Sequence, residues 1–133
     1  QRAARRVYRG AVKSKADVLG NYTFALCFEN MILNGWITEK IFDCFFSGTI
    51  PVYWGAPDIQ DVIPPEAFID MRRFPSYDDL SDYMHSLSPV EIRRSRECGR
   101  EFLRSEGFYR FSQDGFFDHF RHIFHEDAGI DVE

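Results

Sequence analysis

Long apolar runs are missing from this chain of 133 residues: its longest apolar stretch, Ile41 to Gly55, is broken by Asp43. That falls short of the roughly 18 apolar residues a membrane-spanning helix requires. Cysteine is scarce as well. Cys27, Cys44 and Cys98 are odd in number, far apart and outside any C-x-x-C spacing. This excludes a disulfide framework and a zinc site, and the three read as reduced thiols in a core. No Asp-x-Asp metal signature occurs, and there is no internal repeat, linker or low-complexity tract. The chain begins at Gln1 without the charged start and apolar core of a signal peptide, and reads as a fragment.

What is present is apolar and aromatic. Apolar residues make up 44% and aromatics 17%, with 14 phenylalanines, which excludes a disordered segment. One domain is expected over residues 1–133, with about 68% of the unfolded chain's surface buried on folding. The formal charge is −5, but it is unevenly spread. Arg2, Arg5, Arg6, Arg9, Lys13 and Lys15 all precede the first acid, Asp17, so residues 1–15 form a basic arm. Residues 16–133 hold 10 basic and 21 acidic groups. A body of that sign excludes a duplex-binding face, and no nucleic-acid partner is expected. The arm reads as a solvated, flexible segment, with a phosphate contact as the alternative.

The order of elements indicates an α/β fold. Thr23 to Phe28 is a short, almost wholly apolar run suited to a strand buried on both faces of a parallel sheet. After polar and turn residues, Thr38 can cap a helix with Ile41, Phe42, Phe45 and Phe46 on one stripe, ended by Gly48. Thr49 to Trp54 is a second strand. Strand, helix and strand within about thirty residues make a βαβ unit with a right-handed crossover. A third short strand is predicted at Ala67–Asp70, followed by three C-terminal helices. The first starts at Ser76 and carries Leu80, Tyr83, Met84 and Leu87. The second starts at the Ser88-Pro-Val-Glu91 capping box and ends near Gly107. The last starts at Ser112, with Phe116, Phe117, Phe120, Ile123 and Phe124 expected to face inward.

In open parallel sheets, ligands bind outside the carboxyl ends of the strands, near helix N-termini that favour anions. Glu29 and Asn30 follow the first strand, and Thr38, Glu39 and Lys40 open the crossover helix. A lysine there is a point charge for phosphate, and a glutamate accepts hydrogen bonds from paired sugar hydroxyls. Together they suit a nucleotide or nucleotide-sugar. The same residues on spacing alone also fit a helix cap with an exposed charged pair.

Phe28-Glu-Asn30, Trp36-Ile-Thr-Glu-Lys40 and Gly48-Thr-Ile-Pro-Val-Tyr-Trp-Gly-Ala-Pro57 together resemble the signature of the α1,3/α1,4-fucosyltransferases. The likeness continues through Ile63-Pro-Pro-Glu-Ala-Phe-Ile69 and Phe74 and covers residues 8–87. Linked blocks in this order are far more specific than any one alone. The resemblance implies an inverting GT-B enzyme that moves L-fucose from GDP-fucose to an N-acetylglucosamine-containing glycan. This chain would be its Rossmann-like, C-terminal donor-binding half, without the N-terminal acceptor domain. Other nucleotide-sugar enzymes of the same fold, and a non-catalytic nucleotide-binding module, are the rival readings.

Carried over by motif, the resemblance implies that Glu39 accepts the ribose hydroxyls and Lys40 binds the diphosphate. Asn30 would bond a phosphate or sugar oxygen, and Glu29 would line the same turn. Trp36 stands where the family usually has tyrosine, so an N–H donor replaces a hydroxyl that both donates and accepts. The resemblance implies a further diphosphate-binding arginine upstream of the matched blocks, which no residue here matches by motif, and a catalytic base in the N-terminal acceptor domain. No cofactor and no obligatory metal are expected, and Asp78-Asp79 reads as acids at a helix start. A bacterial member would be cytoplasmic or peripheral on the inner membrane, an animal one in the Golgi membrane. The lack of paired cysteines tilts the expectation to the bacterial case.

Three other signals carry no function. His119, His122 and His125 drift around their helix by about 60° per step, which suits surface imidazoles better than a shared metal. Arg93, Arg94, Arg96 and Arg100 interleave with Glu91, Glu97 and Glu101, so a salt-bridged solvent face is expected. Cys27 and Cys44 read as small core residues rather than nucleophiles.

Overall fold

The structure, a computed structural model, describes residues 10–127, with side chains through Phe124. Arg2, Arg5, Arg6 and Arg9 of the basic arm, and the side chain of His125, lie outside the described residues. The elements run α1 (Lys15–Leu19), β1 (Phe24–Phe28), α2 (Glu39–Ser47), β2 (Ile50–Trp54) and β3 (Ile69–Asp70). They continue with α3 (Tyr77–Ser86), α4 (Pro89–Phe102), α5 (Glu106–Tyr109) and α6 (Gln113–Asp127).

The three strands form one sheet in the order β1-β2-β3, all parallel. Phe24 pairs with Ile50, Phe28 with Trp54 and Val52 with Ile69. The α/β class, the parallel sheet and the C-terminal helices are those read from the sequence. Gly48, at φ 70°, takes the left-handed position that ends α2, where its amide reaches back to Phe45 O. A side chain would be strained there. Alternation along β2 divides the core. Tyr53 and Cys27 face α2, with Ile41, Phe42, Phe45 and Phe102, while Ile50 and Val52 face Leu80 of α3 with Ile69 and Met71. Ser76 and Ser88 cap α3 and α4, and both halves of the Ser88–Glu91 capping box are made.

Several sequence expectations need correction. The basic arm is not wholly arm: α1 begins at Lys15, whose ammonium lies 2.9 Å from Asp43 of α2. β1 is not buried on both faces, because Leu26, in register with Val52, is 65% exposed. β3 shrinks to Ile69–Asp70, since the preceding Pro65–Ala67 is a 3-10 turn that supplies no ladder bonds. The second C-terminal helix stops at Phe102, and a separate turn, α5, makes four helices rather than three.

Phe46 is exposed on α2, where it makes a T-shaped contact with Phe108 at 5.9 Å between ring centroids. On α6, Phe116, Phe117, Phe120, Ile123 and Phe124 also face solvent. The four phenylalanine rings lie against one another, 4.9 Å apart for Phe116 and Phe120, instead of entering the core. Periodicity identifies an apolar face but not the surface it meets, and both core clusters are filled by residues up to Phe111.

The α4 arginines form no salt-bridged face either. Among the described residues Arg93, Arg94, Arg96 and Arg100 make no ion pair. Glu91 is turned toward Ser88, whose N–H and hydroxyl both donate to its Oε2.

Candidate functional site

The sequence-read residues gather at the carboxyl ends of β1 and β2, beside the first turn of α2. Glu29 follows β1 directly, and its N–H donates to Trp54 O at 2.7 Å, which fixes the ends of both strands. Its side chain turns toward α2 and has no exposed surface. An isolated buried carboxylate is costly, and this one is fully engaged. Oε1 accepts from Thr38 N at 3.0 Å and from Thr38 Oγ1 at 2.9 Å; Oε2 accepts from Lys40 Nζ at 2.8 Å. Burial pushes the Glu29 carboxyl up, but the bonds from Lys40 and Thr38 outweigh it and hold the group below its ordinary value. The Glu29 hydrogen bond in turn raises Lys40 above its ordinary value.

Thr38 occupies the N-cap position of α2, yet its side chain makes no cap bond. The expected cap is therefore only positional. The hydroxyl is oriented toward Glu29, to which it donates, and accepts no bond from the first-turn amides. Lys40 stands at the second helical position, where the dipole disfavours a cation. Its side chain is 30% exposed, so the ammonium, unlike its partner, reaches solvent.

Glu39 is exposed, 3.5 Å from the exposed Lys15 ammonium. Such a pair is weak and displaceable. Asn30 and Trp36 are exposed on the loop joining β1 to α2. That loop is anchored where Gly35 N donates to Asp58 Oδ1 at 2.9 Å. Glycine is needed at 35, where φ is 73°.

Beneath the loop, Ala56 N donates to Tyr53 Oη at 3.0 Å, and burial pushes the Tyr53 phenol up to about 12. Arg72 clamps Asp70 with Nε at 2.9 Å and Nη2 at 2.7 Å. The same guanidinium donates to Pro57 O at 3.1 Å, which fixes the turn after β2. Gly55 permits the closest approach in the site. A Cβ there would lie 2.5 Å from both Glu29 Cγ and Tyr53 Oη.

The structure thus brings Glu29, Thr38 and Lys40 into contact and leaves Asn30, Trp36 and Glu39 on the surface around them. Sequence reading missed the contacts of Lys15, the Asp58 anchor and the fit of Gly55 against Glu29. A signal for the Glu29 contacts was present: an acid directly after an apolar strand, inside the fold, requires donors close by.

Elsewhere, His119 and His122 are exposed on α6. Among the described residues no group of three or more His, Cys, Asp or Glu side chains is placed to hold a metal ion. Cys27 and Cys44 are buried free thiols. The adjoining Cys44 thiol and burial both push Cys27 up, so neither geometry nor protonation makes it a nucleophile.

A family profile described as glycosyltransferase family 10 (fucosyltransferase), C-terminal, matches residues 3–94. The chain belongs to this family. It is 43% identical over 76 residues to the alpha-(1,3)-fucosyltransferase FucT of Helicobacter pylori, covering 57% of this chain and 16% of that protein. It is 37% identical over 86 residues to the alpha-(1,4)-fucosyltransferase of Arabidopsis thaliana, covering 61% of this chain and 21% of that one. A crystal structure of an alpha1,3-fucosyltransferase with GDP-fucose superposes with TM-score 0.60 at 35% identity, over 68% of this chain and 27% of that chain. The chain therefore spans about a sixth to a fifth of these curated family members, which carry both linkage names.

Proposed function

We propose that this chain is the donor-binding part of a fucosyltransferase and holds GDP-fucose at the carboxyl ends of β1 and β2. One observation carries the reading: a solvent-reaching ammonium, Lys40, is fixed at the start of α2 by a fully buried carboxylate. A cation held in the first helical turn, against the dipole, suits a diphosphate, and a solved relative carries GDP-fucose. Glu39 accepts the ribose hydroxyls from its exposed position beside Lys40. Asn30 bonds a phosphate or sugar oxygen, and Trp36 offers its indole N–H.

In this reading the donor part supplies charge rather than proton transfer. As fucose leaves through an oxocarbenium-like transition state, negative charge gathers on GDP, and a preorganised ammonium opposes it. The acceptor, an N-acetylglucosamine-containing glycan, and the general base that deprotonates its hydroxyl belong to the rest of the enzyme. Inversion at the fucose carbon, within a GT-B arrangement of two halves, completes the proposal, and no metal takes part. Transfer in α1,3 or α1,4 linkage follows from acceptor contacts outside this chain.

Calorimetric titration with GDP, GDP-fucose, GDP-mannose and a UDP-sugar tests the reading. Heat from the guanine nucleotides, with GDP-fucose tightest, is expected. Preference for the UDP-sugar would assign the site to another nucleotide-sugar, and silence from all four would leave a domain without a donor site.

A further inference from the structure

We propose that Glu29 is a positioning residue of this site, acting on the diphosphate only through Lys40. The inference rests on the donor-site reading above and assigns Glu29 a task different from lining the pocket. Its carboxylate has no exposed surface, whereas the Lys40 side chain is 30% exposed. The pair is therefore directional, with its negative end sealed inside and its positive end turned outward. A ligand arriving at the carboxyl ends of the strands meets the ammonium and never the carboxylate. Lysine carries three N–H donors. Glu29 takes one, at 2.8 Å from Oε2, and two remain for phosphate oxygens.

The carboxylate is itself held on several sides. Thr38 N–H and Oγ1 approach at 3.0 and 2.9 Å, and the absent Cβ of Gly55 leaves room for Glu29 Cγ. Thr38 stands at the N-cap of α2 without making a side-chain cap bond, and its hydroxyl donates to Glu29. A local rule broken in this way, together with a cation in the first helical turn, marks a site shaped for something beyond stability. An unrestrained lysine on its flexible four-carbon stem would lose rotamer freedom on meeting the phosphates. Glu29 removes much of that loss beforehand.

A structural ion pair and a positioning pair predict different things for ligands with and without phosphate. The test is a double-mutant cycle in the protein at its full natural length, with GDP and guanosine as probes. Glu29→Gln is expected to weaken GDP about tenfold while guanosine changes less than about twofold. In a Lys40→Met background, Glu29→Gln should cost GDP nothing further. Equal losses for both probes, or a GDP loss that persists without Lys40, would overturn the positioning role.

Glu29→Asp keeps the charge and shortens the reach by one methylene, and serves if the Gln variant does not fold. It is expected to lose GDP affinity without losing guanosine affinity, and full GDP affinity in this variant would also overturn the role. A wild-type protein that binds GDP no better than guanosine would instead overturn the donor-site reading, and this proposal with it.

Discussion

Lys40 Nζ lies 2.8 Å from Glu29 Oε2, and only the lysine of the two reaches solvent. The pair links the end of β1 to the start of α2, so the crossover that builds the fold also builds the charge. Thr38 strengthens the join with two donors. Each partner resists a different insult, which separates the consequences of changing them.

Removing the ammonium should injure phosphate recognition first. Lys40→Ala is expected to weaken GDP by tenfold or more and guanosine only slightly, since a charge-assisted bond to phosphate is lost and no contact to the base. Calorimetry with both ligands checks this, and equal losses would make Lys40 structural. The substitution also leaves Glu29 buried without its cation, so a lower Tm should accompany it.

Glu39 should behave otherwise, because it is exposed and, among the described residues, paired only with exposed Lys15. Glu39→Gln is expected to leave Tm unchanged, as exposed pairs contribute little. It should weaken GDP more than 2′,3′-dideoxy-GDP, which offers no ribose hydroxyls. The same loss for both nucleotides would remove the ribose from the assignment.

Acid should loosen the fold from the site outward. The carboxyls of Glu29 and Asp70 are both held below their ordinary values of 4.5 and 3.8, burial notwithstanding, by Lys40 with Thr38 and by Arg72 respectively. A group depressed in the folded state gives stability that is complete above its unfolded value and is lost as pH falls through the folded one. Urea midpoints should therefore be insensitive to these groups above about pH 5 and decline progressively below it. A decline already complete above pH 6 would detach the effect from these two carboxyls.

Gly55→Ala tests the packing under the pair. The added methyl would meet Glu29 Cγ and Tyr53 Oη, each at 2.5 Å. Overpacking of this kind costs roughly 1–3 kcal/mol. A fall in Tm is expected together with weaker GDP binding, because Glu29 must shift. An unchanged Tm would show that the turn after β2 yields without cost, despite the Arg72 bond to Pro57 O.

The strands, the crossover helix and the capped helices were legible because each has a local cause: an apolar run, a period of 3.6, a serine cap or a glycine stop. β3 was overestimated because the apolar Ala67-Phe-Ile69 run does not reveal that its first residue closes a 3-10 turn. The α6 phenylalanines show the opposite limit, a clear amphipathic face whose partner the sequence does not name. At the site, the spacing from Glu29 to Lys40 marked the place. The capture of the Thr38 hydroxyl by Glu29 was invisible, because Thr38 as a cap and Thr38 as a clamp have the same sequence.

The chain alone should bind GDP-fucose weakly and transfer none of it. Binding follows from Lys40, Glu39 and Asn30, all on this side of the proposed cleft. Weakness follows from exposure: Glu39 is 64% exposed and Lys40 30%, so water and salt screen both charges. Transfer requires a base and an oriented acceptor. The chain aligns with 16% of the Helicobacter pylori enzyme, and the proposal assigns both functions to the remainder. Lack of a general base typically costs ~10²–10⁴ in rate, and an unpositioned acceptor costs more. Radiolabelled GDP-fucose with an N-acetyllactosamine acceptor, assayed beside a version extended by a full upstream domain, measures the difference. Comparable turnover by the two would place the base within residues 1–133 and overturn the division of labour proposed here.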